Sequence, residues 1–118
     1  METKIRFTAV KKSDMDKVDF NENLYWLDES EYVRVAPLTW RLDSLPKRLS
    51  NIIDSGKKII EGKRVPCIVK QKTILRYLED EKNEVEGLST LKDYVDVLNE
   101  TIDFMNNVQE DEYIIIRI

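Results

Sequence analysis

The last seven residues, "EYIIIRI", limit the fold more than any other stretch of the chain. Three consecutive isoleucines after Tyr113 read as a strand buried on both faces, in a run too short for a helix. A lone strand cannot satisfy its own backbone, so the end of the chain must return to a sheet. Strand patterns that it can join lie at the other end of the sequence. In "TKIRFTAV", Ile5, Phe7 and Ala9 alternate with Lys4, Arg6 and Thr8, the period of a half-buried strand. Further on, "LYWL" and "YVRV" flank "DESE", which predicts a β-hairpin with a four-residue loop, its second arm ending at Pro37. Between these, "KKSDMDKVDFNEN" reads as polar and irregular.

From Ser44 the period lengthens to that of a helix. Leu45, Leu49, Ile52, Ile53, Ile59 and Ile60 fall on one stripe. Ser44 suits an N-cap, Pro46 the first turn and Gly62 the C-terminal glycine position. Gly56 lies on the apolar side, where its lack of a side chain would permit close packing. "RVPCIVK" fits either a short strand or an extended entry to the next helix. A second helix is expected over about 71–86, with Ile74, Leu75, Leu78 and Val85 inward and Gly87 breaking the pattern. The third is the clearest. Leu88, Leu91, Val95, Leu98, Ile102 and Met105 recur at alternating spacings of three and four, which alone would suggest a coiled-coil seam. Tyr94, Val97, Phe104 and Val108 widen the apolar face to nearly half the circumference, so packing within the domain, and a monomer, are favoured over a dimer seam. The expected fold class is α+β, one domain over 1–118: N-terminal antiparallel strands, three amphipathic helices and a C-terminal strand returning to the sheet.

Composition removes much chemistry. The chain has no His, one Cys and three Gly. Without His there is no Ser–His–Asp triad, no Cys–His pair and no ordinary zinc site. The glycines form no phosphate-cradling loop. No catalytic residue is therefore nominated, the chain is read as a non-enzyme, and neither cofactor nor metal is expected. Asp14, Asp16 and Asp19 in "DMDKVD" hint at calcium but lack the glycine and distal Glu of a calcium loop. Cys67, with no base beside it, reads as a buried thiol. No apolar run approaches membrane length, and "METKIRFTAV" lacks a signal-peptide core, so a cytoplasmic location is expected.

Charge is segregated along the chain. Residues 41–76 carry net +7 and residues 77–112 net −10, within a total of −4. Such separation bears on partners rather than on fold. On the third helix, Asp93, Asp96, Glu100 and Asp103 form a row opposite Leu91, Leu98 and Met105. Their plain reading is a solvated outer face; their functional reading is a surface for a basic protein. The aromatics of the first forty residues are chiefly sheet core, yet Trp26 and Trp40 are nominated as contact anchors beside the acidic row. The basic block offers Lys57, Lys58, Lys63, Arg64, Lys70 and Lys72 as an alternative, nucleic-acid-binding set. Against it stand the absence of any helix-turn-helix or aromatic RNA-binding signature and a pI near 5.0.

The leading expectation is a small non-catalytic protein that binds another protein, as an inhibitor, immunity-type or accessory factor. The Lys-, Asn- and Ile-rich composition is compatible with an AT-rich bacterial, phage or plasmid origin. A nucleic-acid-binding regulator is the alternative, and a pocket for a small ligand between aromatic sheet and helices a weaker one.

Overall fold

The computed structural model describes residues 3–18, 31–37, 39–60 and 62–118, with only the backbone at Ser89. Trp26, the first arm of the expected hairpin, and Asp19 lie outside the described residues.

The fold is α+β; among the described residues it is a six-stranded antiparallel sheet with three α-helices. Its elements are β1 (Thr3–Lys11), a 3-10 turn (Lys12–Lys17), β2 (Val33–Val35), β3 (Trp40–Leu42), α1 (Lys47–Ser55), β4 (Lys57–Ile60), β5 (Lys63–Val69), α2 (Gln71–Val85), a second 3-10 turn (Ser89–Leu91), α3 (Lys92–Asn106) and β6 (Glu112–Arg117). The strand order is β2-β1-β6-β5-β4, and β3 pairs with the first half of β1 while β2 pairs with its second half.

The final strand does return to the sheet. β6 runs between β1 and β5, with Phe7 opposite Ile116 and Ala9 opposite Ile114. That central place explains the isoleucine run, because both faces are covered. Ile114 and Ile116 join the main core with Ile5, Phe7, Ala9, Leu49, Ile74, Leu78, Leu98 and Met105. Ile115 faces the other way, into a smaller core with Val10, Met15, Val18, Val33 and Ile68. Thr8 is buried on that second face, and its hydroxyl donates to the Ile115 carbonyl at 3.0 Å.

The segment after β1 is therefore not a plain polar linker. Its 3-10 turn drops Met15 onto the second face, Val18 follows, and the Lys63 ammonium donates to the carbonyls of both.

The first helix is shorter than its apolar stripe. It starts after Pro46 rather than Ser44 and stops at Ser55. Gly56 then takes an extended conformation, and a Cβ built there would stand 2.1 Å from the Cys67 sulfur. No other residue leaves room for this approach to β5. Lys57–Ile60 pairs with β5 as strand β4, Ile59 is 60% exposed instead of buried, and Gly62, at φ +77°, serves the β4–β5 turn instead of a helix end. The "RVPCIVK" ambiguity resolves as strand.

α2 forms as expected, ending within a residue of its expected limit, and α3 forms over Lys92–Asn106, starting later than the stripe that begins at Leu88. Among the inward residues of α2, Tyr77 is as deeply buried as Ile74 and Leu78. On α3 the buried centre is Leu98, Thr101 and Met105, flanked by half-buried Tyr94, Val97, Ile102 and Phe104. The helix packs within its own domain, against α2 and the sheet, as its broad apolar face implies. Leu88 and Leu91, assigned to the same stripe, remain exposed at 51% and 37% because the helix begins only at Lys92.

Candidate functional site

The burial of one side of α3 dictates what its other side offers. With Leu98, Thr101 and Met105 facing the core, Asp93, Asp96, Glu100 and Asp103 all point to solvent. At 1.5 Å per residue, the row is about 15 Å long. Asp93 lies in the first turn, where a carboxylate favours the helix dipole; the other three have no such local role.

Neighbouring carboxylates are engaged differently. Glu112 receives two bonds from Arg34, at 2.6 and 3.1 Å. Asp80 pairs with Arg48 at 2.8 Å, and Asp14 with Lys17 at 3.2 Å. Glu81 accepts from the Tyr94 hydroxyl at 3.0 Å. Among the described residues none of the four row carboxylates has an ion pair. The row is thus a stripe of uncompensated charge on a rigid helix, with exposed Leu88 and Leu91 at its N-terminal end.

Trp40 does not join this surface. It is 2% exposed, packed edge-on against Phe7 and Tyr94 at ring separations of 5.3 and 6.2 Å. Its indole N–H donates to the Thr101 hydroxyl at 2.9 Å, and that hydroxyl donates to the Val97 carbonyl at 2.8 Å. Pairing with Ile5 through β3 carries Trp40 into the core, so the contact role assigned to it from the sequence is corrected to a structural one.

Burial also sets the titration of the core. It raises the Tyr77 phenol to about 12, with the Glu81 carboxylate adding to the rise, and it pushes Tyr94 higher still. Burial likewise raises the Cys67 thiol, partly countered by Lys58. The thiol donates to the Ile53 carbonyl at 3.2 Å and sits in the core, the buried position the sequence suggested.

The six basic candidates divide. Lys63 holds the 3-10 turn on the second face, while Lys58 donates to the Ile53 carbonyl of α1 at 2.8 Å. Arg64 and Lys72 are exposed on β5 and in the first turn of α2. Lys57 and Lys70 do come together, on the rim of a groove that also includes Lys12, a residue sequence reasoning did not select.

No family model matches this chain, and no curated protein or solved structure matches it either. No helix among the described residues is long and apolar enough to cross a membrane.

Proposed function

We propose that this chain is a non-catalytic binding protein that docks a basic surface of another protein on the outer face of α3. The observation that carries this reading is the charge row Asp93, Asp96, Glu100 and Asp103, solvent-facing and without ion pairs among the described residues. Carboxylates held on a rigid helix steer a basic partner and orient it. Leu88 and Leu91 supply apolar anchors beside the row, in place of Trp40. An inhibitor or accessory factor that occupies a cationic channel or groove fits this surface. The nucleic-acid alternative draws less support, because Lys58 and Lys63 spend their ammonium groups on backbone carbonyls.

The test compares baits in lysate of the source cell. The wild-type chain should retain a protein that Asp96→Lys/Glu100→Lys loses, while Lys57→Glu/Lys70→Glu retains it. Equal retention by all three baits, at matched folding by circular dichroism, would remove the acidic row from the interaction. Titration with labelled DNA and RNA at two salt concentrations tests the alternative, for which tight binding that falls steeply with salt is required.

A further inference from the structure

The groove that Lys57 and Lys70 share is built from four separated pieces of chain. They are the end of α1 with the start of β4, the β5–α2 junction, the α3–β6 connection with β6, and Lys12. Its volume is about 680 Å³, within the range of small-molecule sites. Ile52, Val69, Val108 and Ile114, all on the main-core side of the sheet, give it an apolar wall, and exposed Lys12, Lys57 and Lys70 also line it.

The charges on this rim are unbalanced. Two carboxylates, Glu110 and Glu112, also line the groove. Glu112 is already committed to the Arg34 guanidinium and to the Gln109 amide, at 3.0 Å. Among the described residues, three lining ammonium groups therefore face one carboxylate, Glu110, without such a partner. Lys12 lies over the Tyr113 ring, 5.3 Å from its centre, which holds its charge at the rim. The first turn of α2 opens into the same space through Gln71 and Thr73, and its N-cap residue Lys70 makes no side-chain capping bond. Gln71 is fixed by donating from its carboxamide to the Met105 carbonyl at 2.5 Å. Positive rim and apolar wall together suit one chemistry.

We propose that this groove binds a small amphipathic organic anion, an aromatic or aliphatic body carrying one phosphate or carboxylate group. The body lies against Ile52, Val69, Val108 and Ile114, and the anionic group meets Lys12, Lys57 and Lys70. This site is separate from the α3 row and does not depend on it.

Calorimetric titration of the whole chain with 1-naphthyl phosphate, 2-naphthoate, uncharged 1-naphthol and inorganic phosphate tests the proposal. At least one naphthyl anion should bind saturably at one-to-one stoichiometry. Naphthol and inorganic phosphate should each bind about tenfold more weakly or less, since each lacks one half of the recognition. The two anions compared with each other tell a phosphate site from a carboxylate site. Lys57→Glu and Lys70→Glu, both at exposed positions, should each lower affinity by about tenfold. Asp96→Lys/Glu100→Lys should leave it unchanged, so failure here and failure of the α3 reading remain distinguishable. No saturation by either anion up to about 10 mM, or affinity indifferent to both lysine reversals, would overturn the proposal.

Discussion

The Trp40 indole N–H and the Thr101 hydroxyl meet at 2.9 Å, tying the short strand β3 to the middle of α3. Both residues are buried, and the hydroxyl's own proton goes to the Val97 carbonyl. Thr101→Val keeps the shape but leaves the indole donor without its acceptor. A loss of about 1–3 kcal/mol is expected in urea unfolding. Trp40→Phe removes the donor but also leaves a cavity. The double variant should therefore cost about 1 kcal/mol less than the two single losses added together, the signature of direct coupling.

Gly56 makes the second prediction. A methyl at this position would stand 2.1 Å from the Cys67 sulfur and 3.1 Å from the Ile68 carbonyl. Gly56→Ala is expected to destabilise by about 1–3 kcal/mol through overpacking, although the residue's backbone conformation suits alanine. Cys67→Ala in the same chain should recover part of that loss by vacating the sulfur's volume. Paired denaturation curves measure both effects, and no recovery would mean that the carbonyl is the obstacle.

Arg34 and Glu112 set the acid limit. Burial alone would raise the Glu112 carboxyl, but the Arg34 guanidinium and the Gln109 amide outweigh it and hold it below the ordinary glutamate value. The unfolded chain therefore takes up this proton first. The stabilisation is complete above the ordinary glutamate pKa and is lost as pH falls through the lower folded value. Arg34 is about half exposed, so solvent screening limits the effect to about 1 kcal/mol at neutral pH. Glu112→Gln should be less stable than wild type at pH 7, and the gap should close below about pH 4.

The acidic row should be dispensable for folding. Asp96→Lys and Glu100→Lys change solvent-facing positions without ion pairs among the described residues. Each is expected within about 0.5 kcal/mol of wild type in the same unfolding assay. A larger loss would give the row a structural role.

Much of the fold was legible because its patterns are local. The isoleucine run of β6 and the alternation of β1 each carry their own period, and so do the stripes of α2 and α3. The acidic row follows from the α3 stripe by projection alone. What was hidden depends on contacts distant in sequence. Ile59 and Ile60 continue the α1 stripe by chance of spacing, whereas the helix ends at Ser55 and Gly56 lies against Cys67 and Ile68 of β5. β3 has three residues, too few to display a period, so no alternation told whether Trp40 follows the core reading of the N-terminal aromatics or serves as a contact anchor. Met15 and Val18 look like isolated apolar residues in a polar stretch until the second face of the sheet is seen to need cover. The groove's walls come from four stretches of chain, and no single one of them advertises it.

Under the proposed function, a partner covers the outer face of α3. Hydrogen exchange, read by mass spectrometry on the chain alone and on its complex with the captured protein, tests it most directly. Added protection is expected across residues 88–103, strongest around Leu88, Leu91 and Asp96. Protection confined to β4, β5 or the groove, with α3 exchanging as in the free chain, would contradict it.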